Sequence, residues 1–221
     1  MLDREYEIIL VDDNSTDGTA KVALELSKKY PIKVIMRDKK SGLASAILTG
    51  FEHARGDIIG VIDADLQHPP ESIIECVEAL EVADCEIAIG SRYVKGGGVE
   101  GWSLSRLLTS KIAILLAKPL VRKVKDPMSG FFFLKRKVIE NVDLNPMGYK
   151  LGLEVLLKGN YKKVVEIPYI FKKRQQGVSK LNKKEIFLYL KLLASLYKYK
   201  IKRWMIPGRL YISTANLTNH F

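Results

Sequence analysis

Cysteine, histidine and long apolar runs are all scarce in this sequence. The two cysteines, Cys76 and Cys85, lie within apolar patterns, and no histidine stands beside them at the spacing of metal ligands. A disulfide framework is therefore excluded, and we expect both thiols to be reduced. No stretch reaches the run of about 18 apolar residues that a membrane-spanning helix needs. The opening MLDREYEIILV also lacks the pattern of a signal peptide.

Positive charge is what the sequence has in excess. Its 36 lysines and arginines against 25 acidic residues give a net charge of +11. Such a balance favours a polyanionic partner, and the candidates are nucleic acid, nucleotide phosphates and an anionic membrane. We expect no nucleic-acid partner, because no aromatic platform or recognisable reading helix accompanies the charge. A length of 221 residues with 47% hydrophobic content fits one folded domain.

Short apolar strands alternate with helical patterns along the first ninety or so residues. Strands are predicted at 7–12, 32–37, 57–63 and 86–91. Helices are predicted at 16–30, 41–54 and 70–80. This order predicts an α/β fold with a mainly parallel, doubly wound sheet and flanking helices.

The regular alternation of strand and helix patterns ends at a glycine-rich loop, and the second half of the chain has a different order of elements. Helical patterns cover 104–121, 149–158 and 184–204. Strands are predicted within DPMSGFFFLKR and at 164–171. We expect a single catalytic domain over 1–200 and an irregular tail over 205–221.

Two carboxylates stand in the stretch DADLQHPP, directly after the third predicted strand. Ligands of open parallel sheets bind beyond the carboxyl ends of the strands, so Asp63 and Asp65 are predicted to face a ligand. A lone D-x-D pattern often only caps a helix. Here Asp12, Asp13 and Arg92 end other strands at the same predicted edge. The pair is therefore suited to Mg²⁺ or Mn²⁺, which could hold a diphosphate.

Several longer motifs occur in a fixed order: VDDNSTDGT, SGLASAILTGFEHARGDIIGVIDADLQHPPE, IGSRYVKGG, VKDPMSGFFFLKR and RQQGVSKL. Over residues 5–200 the chain resembles the dolichyl-phosphate mannose synthase group of the family 2 glycosyltransferases. The resemblance implies a GT-A fold, a Rossmann-like nucleotide-diphospho-sugar transferase architecture. It also implies inverting transfer of mannose from GDP-mannose to dolichyl (polyprenyl) phosphate, with Mg²⁺ or Mn²⁺ as cofactor.

The resemblance also implies roles for particular residues. Asp63, Asp65 and Gln67 would form the metal site, and Arg92 with Arg106 would bind the acceptor phosphate. Asp65, Arg92 and Arg106 are the expected catalytic residues. The residues expected at the donor nucleotide sugar are Asp12, Asp13, Asp63, Gln67, Arg174, Ser179 and Lys180.

The chemistry of the acceptor leaves alternatives open. A lipid phosphate with a second pKa near about 6 is ionised at neutral pH and needs no general base. A sugar hydroxyl would need one, and Asp126 and Glu154 are the candidates, although Asp126 can equally be a turn residue before Pro127. UDP-glucose or another nucleotide sugar is an alternative donor to the same kind of lipid phosphate. A truncated copy that only binds nucleotide or membrane is a further alternative.

Two helical segments carry apolar stripes followed by lysines. The stripes consist of Ile112, Leu115, Leu116 and Leu120, and of Ile186, Phe187, Leu190, Leu193 and Tyr197. Such faces suit helices lying in an anionic membrane surface, although core-facing helices show the same spacing. We expect a peripheral protein at the cytoplasmic face of the cell membrane.

Two further expectations concern single features. His68, before two prolines, is predicted to be a turn residue and not a metal ligand. Members of the resembled family open with a strand and a helix that carry a Pro-x-Tyr-Asn-Glu-like motif, and this sequence begins after both. We therefore expect it to be a truncated copy of a longer enzyme.

Overall fold

The computed structural model describes residues 4–145, 147–172 and 183–205, which form an α/β fold. The strands in this part of the chain are β1 Ile8–Asp12, β2 Ile32–Met36, β3 Ile58–Val61, β4 Ile87–Ser91, β5 Gly98–Val99, β6 Phe132–Lys135, β7 Val164–Pro168 and β8 Ile170–Phe171. The helices are α1 Thr19–Ser27, α2 Leu43–His53, α3 Ser72–Val82, α4 Leu104–Ala117, α5 Leu151–Lys158 and α6 Lys183–Met205. Every predicted helix and strand is present, with ends shifted by a few residues.

The first two strands form a parallel pair of their own. Ile8 of β1 aligns with Ile32 of β2, and Asp12 aligns with Met36. Helix α1 connects them, and α2 packs on β1. Glu7 fixes the start of β1, because its carboxylate accepts the backbone N–H groups of Arg55 and Gly56 just before β3.

The second sheet has the strand order β3-β6-β4-β7. Strand β6 runs antiparallel to both of its neighbours, whereas β4 and β7 are parallel. The small pair β5 and β8 is also parallel. The sheet structure is thus mainly parallel, as predicted, but the sequence did not predict that β6 inserts between β3 and β4 in the reverse direction.

Side chains of β6 alternate between two hydrophobic cores, as a strand buried on both faces requires. Phe132 and Leu134 enter the core covered by α2, α4, α5 and α6, and Phe131 and Phe133 enter the core covered by α3. The phenylalanine rings fit because β3 and β4 carry glycine beside them. A Cβ on Gly60 would lie 2.1 Å from the Phe133 ring, and one on Gly90 would lie 2.1 Å from the Phe131 ring.

Helices α4 and α6 lie side by side and are joined by long polar side chains. The Tyr189 hydroxyl donates to the carbonyl of Ala113 at 2.6 Å, and the Tyr197 hydroxyl donates to that of Leu116 at 2.8 Å. The contacts advance together along both helices, which therefore run in the same direction. None of the helices in the described ranges is long and apolar enough to cross a bilayer.

Candidate active site

The acidic turn follows β3, where the sequence predicts it. The side chain of Asp63 is 41% exposed at the mouth of the site. Asp65 Oδ1 accepts the backbone N–H of Gln67 at 3.1 Å, which folds the turn back on itself. The Gln67 amide nitrogen donates to the carbonyl of Lys172 at 3.0 Å, and the Lys172 N–H donates to the Gln67 carbonyl. These bonds tie the acidic turn to the end of β8.

His68 forms the buried base of this turn. Its ring stacks on Phe131 at 5.3 Å between centroids and meets the edge of Phe171 at 5.4 Å. Burial lowers the pKa of His68, and the opposing charges of Asp63 and Asp65 do not reverse that shift. The backbone N–H of Asp63 donates to His68 Nδ1 at 3.4 Å, which fits a neutral ring. His68 therefore supports the carboxylates as part of an aromatic floor.

Arg92 is held by a carboxylate at the end of β4. Its Nε and Nη2 donate to the two oxygens of Asp126 at 2.7 Å each, and its backbone N–H donates to Asp126 Oδ2. Burial acts to lower the pKa of Arg92, but the hydrogen bonds and charge of Asp126 outweigh it and raise the pKa. Arg92 is thus a permanent cation in a fixed position.

Trp102 and Phe171 bring the two predicted acceptor arginines together. The Arg106 guanidinium lies 4.1 Å from the Trp102 ring centre, and that of Arg92 lies 5.4 Å from it. Both guanidinium groups lie within 6 Å of Phe171, at 5.8 and 5.9 Å. Because Phe171 also contacts His68, it links the arginine cluster to the acidic turn. These separations are within the range of cation–π attraction.

Lys150 lies beneath the same site. Its Nζ donates to the carbonyl of Met128 at 2.6 Å and so anchors the turn that carries Asp126. Burial, reinforced by the charge of Arg92, lowers the pKa of Lys150 to about 8, against the opposing effects of Asp126 and Asp63. The site therefore contains a third positive group at neutral pH, and it is one whose charge is sensitive to alkaline pH.

The aspartates after β1 have contacts of their own. Asp12 is buried, and its Oδ2 accepts the backbone N–H of Ser15 at 2.8 Å. Asp13 accepts the Nε of Arg37 at 2.6 Å, and Arg37 also donates to Ser45. The structure thus uses Asp13 in an ion pair between β1, β2 and α2. The donor-binding roles of both residues stay predictions.

Neither candidate base is placed to remove a proton from a substrate. Asp126 is fully buried against Arg92, and its backbone N–H donates to Glu166. Glu154 is buried on α5, where its carboxylate meets Lys158 Nζ at 2.6 Å and accepts the N–H of Asn145. The structure uses both carboxylates to hold neighbouring groups, which removes them as candidate bases.

Three predicted donor residues, Arg174, Ser179 and Lys180, lie outside the described residues. Sequence reasoning missed Trp102, Phe171 and Lys150. A tryptophan directly after a glycine-rich loop is a signal that could have indicated Trp102. Nothing in the sequence separates Lys150 from the other lysines, because only the fold places its Nζ against the carbonyl of Met128.

The acidic turn offers the ligand types that a hard divalent cation prefers. Asp63, Asp65 and the Gln67 side chain supply carboxylate and amide oxygens, which suit Mg²⁺ or Mn²⁺. In the described ranges, no three acidic, histidine or cysteine side chains cluster as a metal cage. Mg²⁺ commonly binds through one or two carboxylates together with substrate phosphates, so the residues present fit such an ion.

Residues 2–143 match the model of the glycosyl transferase family 2. The chain belongs to this family. It is 53% identical over 198 residues to a dolichol-phosphate mannosyltransferase of Pyrococcus furiosus, a match that covers 88% of this chain and 56% of the relative. The protein of the same name from Saccharomyces cerevisiae is 39% identical over 207 residues, covering 89% of this chain and 76% of the relative. The chain therefore spans little more than half of the archaeal relative's length.

Solved structures confirm the GT-A fold of this family 2 member. A glucosyl-3-phosphoglycerate synthase from Mycobacterium tuberculosis, solved with Mn²⁺, UDP and glucosyl-3-phosphoglycerate, matches with a TM-score of 0.61 and 18% identity. The match covers 91% of this chain and 70% of that one. A mannosyl-3-phosphoglycerate synthase from Rubrobacter xylanophilus gives a TM-score of 0.60 at 18% identity, covering 92% and 66%. At these identities the likeness concerns the fold alone.

Proposed function

We propose that this protein transfers mannose from GDP-mannose to the phosphate of dolichol or another polyprenol. The observation that carries the proposal is the contact of Phe171 with both His68, under the acidic turn, and the arginine cluster. An acidic turn of the kind that binds metals and a basic cluster of the kind that binds phosphate are thus linked through one aromatic ring. The names of the archaeal and yeast relatives support mannose as the transferred sugar and dolichol phosphate as the acceptor.

The donor end of the reaction needs positive charge for a departing diphosphate. Asp63 and Asp65, with Gln67 beside them, would hold Mg²⁺ or Mn²⁺, which would supply that charge when bound. Asp12 would contact the nucleoside, and Asp13 would also belong to the donor-binding site. Arg174, Ser179 and Lys180 would close over the diphosphate from the donor side.

The acceptor end needs cations and no base. A lipid phosphate is ionised at neutral pH, and Arg92 and Arg106 would orient it with planar, forked hydrogen-bond donors. One phosphate oxygen forms a bond to the anomeric carbon of mannose while the bond from that carbon to the diphosphate breaks. GDP leaves with the electron pair, and configuration inverts. Trp102, Phe171 and His68 would exclude water from this space.

The donor assignment is tested by thermal unfolding of the purified chain with GDP, GDP-mannose, UDP and UDP-glucose. Each ligand is measured with Mn²⁺ and again with EDTA. A metal-dependent rise in Tm with the guanosine ligands alone is the expected result. A uridine-selective rise would replace the donor with UDP-glucose or another uridine sugar. Absence of any shift would indicate a copy without a working nucleotide site.

The role of the acidic turn is tested with Asp65→Ala. We expect loss of transfer by about a thousandfold or more, because the developing charge on the diphosphate would lose its partner. Glu78→Ala is the matched control, since Glu78 is an exposed carboxylate in the middle of α3. Retention of full transfer activity in Asp65→Ala would refute the metal role.

We also propose that exposed apolar residues of α4 and α6 rest on the membrane that holds the lipid acceptor. Leu108 and Leu115 of α4 and Phe187 of α6 are each more than 60% exposed. Not all of the predicted stripe is available, because Leu120 and Leu193 are buried in the core. A location at the cytoplasmic face stays a prediction.

Paired substitutions on two helices test the membrane face. Leu108→Ser with Leu115→Ser should reduce binding to neutral phosphatidylcholine vesicles by about a hundredfold, given the value of buried apolar side chains. Val22→Ser with Leu24→Ser removes comparably exposed residues from α1 and should leave binding intact. Equal losses in both pairs would argue against a specific membrane face.

A further inference from the structure

A basic cleft lies apart from the candidate active site. Its volume is about 420 Å³, and it is lined by the chain after α4, the connection from α5 to β7 and one residue of α6. The cationic residues along it are Arg122, Lys123, Lys162, Lys163 and Lys200, and no acidic residue is among its described lining. None of these residues belongs to the candidate active site. The cleft is therefore a second concentration of positive charge, separate from the candidate active site.

Most of this charge is not neutralised by the protein. In the parts of the chain that the structure describes, neither Arg122 nor Lys123 nor Lys162 forms an ion pair with a carboxylate. Lys163 Nζ instead donates to the carbonyl of Ala83, and Lys200 Nζ donates to that of Pro119. The first three cations can therefore turn toward an anion in the cleft.

One wall of the cleft is held in place by a carboxylate outside it. Glu86 Oε2 accepts the backbone N–H groups of Lys162 and Lys163 at 3.1 and 3.0 Å. These two bonds fix the backbone just before β7, where Lys162 and Lys163 line the cleft. Because the wall is positioned before any ligand arrives, binding would require little ordering of the backbone.

The floor of the cleft is apolar. Leu120, Val121, Val124 and Leu156 line it, and all four belong to the core beneath the sheet. An inorganic anion would gain nothing from such a floor and would lose water on that side. A cationic rim over an apolar floor instead matches an amphiphilic anion, with a phosphate at the rim and carbon chains below.

The surface beside the cleft favours a membrane source for this anion. Directly after Lys200, helix α6 exposes Ile201, Trp204 and Met205, with Trp204 83% exposed. A tryptophan among lysines is typical of a helix at the headgroup level of a bilayer. We propose that the cleft binds the headgroup of an anionic phospholipid, with its glycerol and first methylenes on the apolar floor. This proposal does not depend on transferase activity.

Vesicle binding by the purified full chain tests the proposal. The variant Arg122→Gln, Lys123→Gln, Lys162→Gln should bind vesicles that contain phosphatidylglycerol about a hundredfold more weakly, at roughly fivefold for each basic residue near the surface. Its binding to pure phosphatidylcholine vesicles should be unchanged. The control Lys21→Gln, Lys29→Gln, Lys33→Gln removes the same charge from exposed positions in α1, in β2 and in the turn between them. Equal losses in the two triple variants would overturn the proposal.

A second measurement locates the ligand and distinguishes its source. Short-chain phosphatidylglycerol below its micelle concentration should shift the methyl NMR signals of Leu120, Val121 and Val124 in the wild type and not in the cleft variant. Inorganic phosphate and GDP should not produce these shifts at equal concentration. Shifts from phosphate or GDP alone would show a soluble anion site and overturn the lipid assignment. Absence of methyl shifts with the lipid would also overturn it.

Discussion

Arg92 and Arg106 approach the same tryptophan from two different kinds of structure. Arg92 ends a strand of the central sheet, is buried, and is gripped by both oxygens of Asp126. Arg106 lies in the first turn of α4, whose Ser103 cap accepts the Arg106 N–H, and it stacks on Trp102. One cation is thus part of the folded core, and the other belongs to a helix that exposes apolar residues.

This difference suggests different roles for Arg92 and Arg106, although the resemblance implies acceptor-phosphate binding for both. The Nε and Nη2 of Arg92 donate to Asp126, and in the described part of the chain its Nη1 makes no hydrogen bond. It can therefore offer a donor from a fixed position without reorganising. Arg106 lies in the first turn of a helix at the surface and contacts the ring of Trp102, so it is positioned by α4 and not by the central sheet. We expect Arg92 to govern stability as well as transfer, and Arg106 to govern acceptor affinity.

The largest effect should come from removing the carboxylate that holds Arg92. Asp126→Ala leaves a buried guanidinium and a backbone N–H without their acceptor, which is expected to cost about 3–5 kcal/mol of unfolding free energy. Urea unfolding with a constant slope would measure this loss. Transfer should fall as well, since Arg92 would no longer be fixed.

Asp13→Ala is the comparison for this variant, because it breaks the other arginine–aspartate pair between strand ends. That pair is more exposed, at 15% and 18%, and Arg37 keeps its bond to Ser45. We expect a loss of about 1 kcal/mol there. Similar losses in the two variants would show that burial does not distinguish the two arginines.

The sequence predicts the site residues that directly follow a strand. Asp63, Asp65 and Arg92 each follow an apolar run, and the alternation of strands and helices places such ends at one edge. The pattern of glycines and phenylalanines also gives β6 as a strand. Its reverse direction could not be predicted, because a continuous apolar run fits a buried strand in either direction.

The remaining parts of the site depend on contacts between distant segments. Gln67 meets Lys172 across 105 residues, and Arg92 meets Asp126 across 34. No local pattern encodes these pairs, so Asp126 remained equally a base or a turn residue. The apolar stripes show the same limit, because helical spacing does not say whether Leu120 faces the core or the solvent.

The pH dependence of stability tests whether Lys150 interacts with the charges of Arg92, Asp126 and Asp63 beneath the site. Its pKa of about 8 in the folded protein lies below the value of 10.5 for an unperturbed lysine. The unfolded chain therefore binds the Lys150 proton more tightly between these pH values, and the contribution of Lys150 to stability should rise with pH across that window, by up to about 3 kcal/mol. Lys150→Met should lack this rise when unfolding is measured from pH 7 to pH 10.5.

The sign of the Lys150 effect provides its control. The stability associated with the neutral form of Lys150 is fully present when the pH is above the pKa of the unfolded state. It is lost as the pH falls through the pKa of the folded state. Lys33→Met, at an exposed position on β2, should keep the wild-type rise. Identical pH profiles for Lys150→Met and the wild type would mean that Lys150 carries no strained charge and that Arg92 is the fixed cation of the site.

Arg106 should give the smallest change in stability and the clearest separation of kinetic constants. If Arg106 binds the acceptor phosphate equally in the ground state and the transition state, Arg106→Ala raises the KM for polyprenyl phosphate and leaves kcat nearly unchanged. Loss of one charge-assisted contact, about 1.5–3 kcal/mol, corresponds to roughly a tenfold to hundredfold increase. Arg106→Lys should lie between the two proteins, because an ammonium keeps the charge and loses the planar fork. A fall in kcat with an unchanged KM would instead show that Arg106 acts on the transferred group, and the division of tasks between the two arginines would then be wrong.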